Sequence, residues 1–150
     1  MKKYIWITLI SIVAVAGFGT LFTQLGMGWF DKLIKPAEWI PSWIIPIVWT
    51  VIYGLFAYVL IKWQNRRPLT KENIILLIVN GVLNILWCLV FFTLHQLFLG
   101  VVVIVINALF AIRLYLEICK EDAMNGFIIS IYPIWLCIAT TLNLAVWILN

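Results

Sequence analysis

The sequence predicts an all-α membrane protein, a bundle of five transmembrane helices with a structured outer loop between the first two. Three observations predict it. The chain of 150 residues is 65% hydrophobic and 11% charged, with a mean hydropathy of +1.12, far more apolar surface than a soluble core of this size requires. Five continuous apolar runs, each near the roughly 20 residues that cross a hydrocarbon layer, lie at about 4–25, 43–63, 73–94, 97–118 and 125–148. They lack the alternation of barrel strands, and they use up the chain, leaving one domain over 1–150.

The first run follows Lys2-Lys3 and carries Ala14, Ala16, Gly17 and Gly19. That pattern partly matches a secretory signal, but the apolar character continues to Leu25, as in a retained span. Small residues there suit close helix contact, within the chain or in a dimer. Residues 26–42, GMGWFDKLIKPAEWIPS, form the one sizeable loop. Its aromatic content suits a loop folded back over the helix ends, with a short helix near 29–35. Ser42 is the expected cap of the second run, with Pro46 in its first turn, where a missing N–H costs little. Pro68 stops that helix from continuing, and Thr70 is the expected cap of the third. Thr93–Gln96 make a tight turn, so the third and fourth runs are antiparallel neighbours. Pro133 is expected to kink the fifth.

Charge sets an orientation. Lys2, Lys3, Lys62, Arg66, Arg67, Lys71, Arg113 and Lys120 fall on the N-terminal side of the membrane, and Lys32 and Lys35 on the other. This positive-inside bias predicts a cytoplasmic N-terminus and an outside C-terminus. It also accounts for the net charge of +4 without a nucleic-acid partner. The 3 cysteines include no C-x-x-C pair, which disfavours a disulfide oxidoreductase. His95 is the single histidine and suggests no metal site. No cofactor is implied, and no span carries a mid-membrane charge of the kind that ion-coupled transport uses.

The 9 tryptophans fall into three groups. Trp6, Trp63 and Trp147 sit near span ends and read as interfacial anchors. Trp29, Trp39 and Trp43 belong to the loop region. Trp49, Trp87 and Trp135 lie inside spans. Asn80, Asn84, Trp87 and Phe91 follow helical steps on one face. A buried amide needs a partner, so Asn80 and Asn84 either bond across to another helix or, for Asn84, line a pocket beside Trp87. Trp49 and Tyr53 are one turn apart. Ala139, one turn from Trp135, leaves either a packing seam or a slot beside the indole. At about 1.5 Å per residue, these groups converge in the outer half of the bundle, under the aromatic loop.

Four segments carry a family resemblance over essentially the full chain: Trp29-Phe30…Leu33-x-Lys35-Pro36; Pro41-Ser42-Trp43…Val48-Trp49-Thr50…Tyr53; Asn84…Trp87…Phe91-Phe92; and Tyr132-Pro133-x-Trp135…Ala139-Thr140…Leu142-Asn143…Trp147. In this order the chain resembles the translocator protein family, TspO/MBR, also called tryptophan-rich sensory protein or peripheral-type benzodiazepine receptor. The resemblance implies five packed helices, often dimeric, with loop 26–42 over a pocket for porphyrins such as protoporphyrin IX and for isoquinoline carboxamide or benzodiazepine-type drugs. By matched position the pocket would use Trp49, Tyr53, Asn84, Trp87, Phe91, Trp135, Ala139 and Leu142, and the lid Trp29, Lys35, Pro36 and Trp39. Ile40-Pro41 replaces the family's paired prolines, and Glu38-Trp39 also departs from its pattern. Leu144 and Ile148 stand where the animal cholesterol motif needs Tyr and then Lys or Arg.

The leading expectation is therefore a receptor or carrier for a porphyrin-like ligand. Light-dependent porphyrin breakdown, which the resemblance also implies, and a regulatory membrane scaffold are the alternatives. No nucleophile–base pair or metal cluster supports conventional acid–base catalysis.

Overall fold

The computed structural model describes residues 2–36, 40–41 and 43–150. Helix α1 spans Lys2–Phe30, α2 Ile44–Arg66, α3 Lys71–Cys88, α4 Leu97–Glu121, α5 Ala123–Ile129 and α6 Ile131–Leu149. The last turn of α3 continues as a π-helical segment, Leu89–Thr93. Five helical stretches are long and apolar enough to cross a membrane, the fifth being α5 and α6 together over Ala123–Leu149. The protein is an all-α integral membrane protein.

The helices start and stop for local reasons. Thr70 caps α3 by accepting the Asn73 N–H at 3.2 Å. Asp122 caps α5 by accepting the Met124 and Asn125 N–H groups. Pro46 occupies the third position of α2, where it removes no helical bond. The cap expected at Ser42 lies outside the described residues. Pro133 lacks the N–H that would bond the Ile129 carbonyl, and the fifth span is interrupted at Ser130, whose hydroxyl donates to the Phe127 carbonyl at 2.7 Å. The turn into α4 passes through His95, at φ 58°.

One boundary differs from the sequence reading. Helix α1 does not end at Leu25 but runs to Phe30, so the loop begins at Asp31. Gly26 resembles a helix breaker in sequence, yet here it is a contact point. A Cβ at Gly26 would lie 1.8 Å from the Phe92 carbonyl oxygen, so the α1 backbone rests directly on the π segment. The Thr93 hydroxyl fixes the same contact by donating to the Phe22 carbonyl at 2.8 Å.

Packing closes the helices into a ring. Helix α1 packs on α2 and α3, α3 on α4, α4 on α5 and α6, and α5 on α2. Helix α4 is the most interior, with 44% of its most apolar stretch buried, whereas α1, at 6%, is the most peripheral. Arg66 pairs with Asp122 and Arg67 with Glu121, pinning the end of α2 to the α4–α5 turn. Among the described residues α2 has no comparable backbone packing on α3 or α6.

Candidate ligand-binding site

The gap that α2 leaves is filled by rings. At the end of the bundle where α2 begins, a slot runs between α2, α3 and α6. Helix α2 supplies Ile45 and Trp49, α3 supplies Trp87, the π segment Phe91 and Phe92, and α6 Trp135, Ala139, Leu142, Asn143 and Val146. Phe30 and Ile40 close its edge. Trp49 faces Trp87 at 6.3 Å between ring centroids, and Trp87 stacks on Phe91 at 6.1 Å. The rings leave about 30 Å³ between them, little more than one water molecule's share of liquid volume.

Of the three indoles that line the slot, Trp87 and Trp135 are buried, and their N–H groups differ. Trp87 Nε1 donates to Asn143 Oδ1 at 3.0 Å, and Asn143 in turn donates to the Ala139 carbonyl at 2.8 Å. That ring is fixed. Trp135 Nε1 is buried with no hydrogen-bond partner. A buried donor left unpaired is costly, and this one lies in a wall that is otherwise almost wholly apolar.

Beneath the slot is a polar cluster. Asn84 Nδ2 donates to the Tyr132 hydroxyl at 2.8 Å and to the Asn80 carbonyl at 3.0 Å. Asn107 Nδ2 donates to Asn84 Oδ1 at 3.1 Å, and the Tyr132 hydroxyl donates to Asn80 Oδ1 at 3.2 Å. Asn80 Nδ2 also reaches the Phe110 carbonyl on α4 at 3.3 Å. These bonds tie α3, α4 and α6 together inside the apolar layer.

The loop is held at several points. Trp29, at the end of α1, stacks on His95 at 4.2 Å and meets Phe91 edge-on. Lys35 lies 4.6 Å over the Phe30 ring and 3.8 Å from Asp31. The Asn150 side chain brackets Ile34, accepting its N–H and donating to its carbonyl, each at 2.9 Å.

The TspO/MBR family model matches residues 6–148. The chain belongs to the TspO/MBR family. It is similar to Protein CrtK of Rhodobacter capsulatus, at 31% identity over 81% of this chain and 78% of that one. It is also similar to the Tryptophan-rich protein TspO of Chlorobaculum tepidum, at 26% over 94% and 92%. The human Translocator protein matches at 25% over 81% and 75%.

Of the residues singled out in this TspO/MBR chain, the structure brings Trp49, Trp87, Phe91, Trp135, Ala139 and Leu142 to one slot. Tyr53 stacks behind Trp49 at 5.7 Å, with its hydroxyl toward Gly19 of α1. Asn84 belongs to the polar cluster below. Trp29 is helical and packs on the α3–α4 turn, Lys35 sits over Phe30, and Pro36 is half-buried in the loop. Trp39 lies outside the described residues. Asn143, Phe92, Val146, Phe30, Ile40 and Ile45 also line the slot and were not among the candidates. Asn143 had a signal: it shares a helix face with Trp135 and Ala139, since the three repeat every four residues. Trp63, read as a boundary anchor, is only 2% exposed, because α5 and the end of α4 fold over it.

Proposed function

We propose that this TspO/MBR-family protein is a membrane receptor or carrier for a flat, apolar tetrapyrrole of the protoporphyrin IX type. The ligand would enter the slot between α2, α3 and α6, and isoquinoline carboxamide or benzodiazepine-type compounds would compete for it. The observation that carries the reading is the unpartnered Trp135 N–H in a wall of stacked aromatic faces. Ring stacking contributes about 0.5–1.5 kcal/mol per good pair beyond burial, and the indole donor gives one polar anchor. Drug-sized ligands occupy roughly 300–1,000 Å³, so binding requires the α2 wall, with Ile40 at the slot edge, to move outward. Helix α2 is suited to this, since large side chains rather than backbone contact hold it against α3 and α6. Lys35, over the Phe30 ring that closes the slot edge, would meet a propionate.

The reading puts the N-terminus in the cytoplasm and the slot mouth outside, supported by the distribution of the 10 basic residues. A homodimer would use the outward face of α1, where Ala14 and Gly17 are exposed and a Cβ at Gly17 would meet nothing within 4 Å. The test is tryptophan quenching by protoporphyrin IX in liposomes. Trp135→Phe should weaken affinity about three- to tenfold, one hydrogen bond's worth, and Trp6→Phe, on the outward face, should not. Equal affinity in wild type and both variants would sink the assignment. Light-dependent breakdown is the second reading, favoured by the run of oxidisable rings from Tyr53 through Trp49 to Trp87. Porphyrin absorbance that fades under illumination no faster with protein than without it rules that reading out.

A further inference from the structure

The other end of the bundle holds a second recess. It measures about 70 Å³ and lies between the end of α2 and the α4–α5 turn, lined by Trp63, Arg66, Arg67, Glu121, Asp122 and Asn125 among others. Two polar atoms at this site have no partner: the Trp63 Nε1–H donor and the Asn125 Oδ1 acceptor. Both residues are 2% exposed. One unpaired buried group is uncommon in a folded protein. A donor and an acceptor stranded at the same recess imply an occupant that presents both.

Charge narrows the occupant. The recess carries two guanidiniums and two carboxylates, paired Arg66–Asp122 and Arg67–Glu121, so it has no net charge. The signs are layered. The carboxylate side chains are 13% and 21% exposed, the guanidiniums 57% and 52%. Acceptors lie deep and cations shallow, and each guanidinium has five donors, more than one carboxylate consumes. A simple anion would meet the carboxylates, and a simple cation the guanidiniums. A zwitterion with its cation inward satisfies both layers.

The cation must donate hydrogen bonds, because Asn125 Oδ1 is an acceptor; a primary ammonium does so and a trimethylammonium cannot. The volume, about two water molecules' share, admits an aminoethyl group. The level is that of lipid headgroups, since α2 and α4 end here as spanning segments. We propose that this recess binds phosphoethanolamine, its ammonium inside against Asn125, Glu121 and Asp122, and its phosphate on Arg66 and Arg67, with one phosphate oxygen reaching inward to the buried Trp63 N–H. The group comes either on a phospholipid or as a free small molecule.

Delipidated full-length protein in detergent is offered phosphatidylethanolamine, phosphatidylcholine and phosphatidylglycerol of matched acyl chains, and retention is read by native mass spectrometry. Phosphatidylethanolamine should be retained about tenfold over both others, the difference a charge-assisted hydrogen bond makes. Trp63→Phe, which keeps a ring and removes the N–H, and Arg67→Gln, a surface change that leaves the core intact, should each cut that preference at least threefold. Free O-phosphoethanolamine distinguishes the source. Displacement of the lipid by it at millimolar concentration supports a soluble ligand, and an undisturbed lipid preference supports the membrane lipid. Equal retention of the three lipids, stronger retention of phosphatidylglycerol, or a preference unchanged in both variants overturns the proposal.

Discussion

Replacing Asn84 by leucine separates a structural amide from a ligand-binding one. Leucine shares asparagine's branching at Cγ, with two methyl groups in place of the amide oxygen and nitrogen, so the change removes hydrogen bonds without opening a cavity. Two of the lost bonds link helices: Asn84 Nδ2 to the Tyr132 hydroxyl at 2.8 Å, and Asn107 Nδ2 to Asn84 Oδ1 at 3.1 Å. Interhelical bonds in membranes average about 0.6 kcal/mol each. The Tyr132 hydroxyl keeps Asn80 as acceptor, but Asn107, fully buried at 0% exposure, loses its amide acceptor. A stranded buried donor costs about 1–3 kcal/mol. The expected loss is about 2–4 kcal/mol, measured as reversible unfolding in mixed micelles followed by far-ultraviolet circular dichroism. Asn107→Leu added to Asn84→Leu should cost less than the sum of the single changes, because the stranded donor is gone. Porphyrin affinity of the folded single variant should stay within about twofold of wild type, a shift worth well under one hydrogen bond. Unchanged stability with sharply weaker ligand binding would refute this placement of Asn84.

Two further predictions test how the scaffold is held. Gly26→Ala forces the α1 backbone away from the Phe92 carbonyl, where its Cβ would lie at 1.8 Å, and should destabilise by about 1–3 kcal/mol; Gly28→Ala, with nothing within 4 Å, should leave the thermal midpoint unchanged or raise it slightly, through helix propensity. The Asp122 carboxyl is held below its ordinary value, chiefly by the N–H of Asn125, then by that of Met124 and by Arg66. Its folded pKa being depressed, its contribution is complete above the ordinary aspartate value of about 3.9 and is lost as pH falls below it. The thermal midpoint of wild type should therefore fall more steeply on acidification through that window than that of Asp122→Asn.

What the sequence revealed and what it hid divide along a physical line. The spans were legible because apolar length is a property of each segment alone, and Thr70 and Pro133 act within a turn of their own positions. The slot residues on α3 and α6 were legible because helical steps put Trp87 with Phe91 and Trp135 with Ala139. What depended on partners distant in sequence was not legible. Gly26 resembles a breaker until Phe92 is found against it, 66 positions away. Asn84 could equally have faced a ligand until Tyr132 and Asn107 closed around it. The π winding over Leu89–Thr93 turns both Phe91 and Phe92 inward, at 2% and 6% exposure, which no α-helical step count anticipates. Trp63 has the sequence position of a boundary anchor, and only the fold of α5 over it shows otherwise.

The placement of the slot follows from an asymmetry in how α2 is held. Its last turn carries Arg66 and Arg67, and these meet Asp122 and Glu121 at the α4–α5 turn. Its first half carries Trp49 and Ile45, which meet aromatic and aliphatic side chains on α3 and α6. Ion pairs and small contacts draw one end of α2 against α5, while indole rings hold the other end away from α6. Pro133 adds to the divergence by breaking the fifth span at Ser130, so that α5 follows α2 while α6 does not have to. The side of α2 that faces α3 and α6 is left to side-chain contact, and the slot lies there, toward the start of α2. Its flat rings and the aliphatic side chains between them present faces that separate without breaking hydrogen bonds, apart from Trp87 to Asn143. Under the proposed function, a ligand that replaced ring–ring contact with ring–macrocycle contact would therefore give up little on entry, while the charged clamp at the far end held α2 in register.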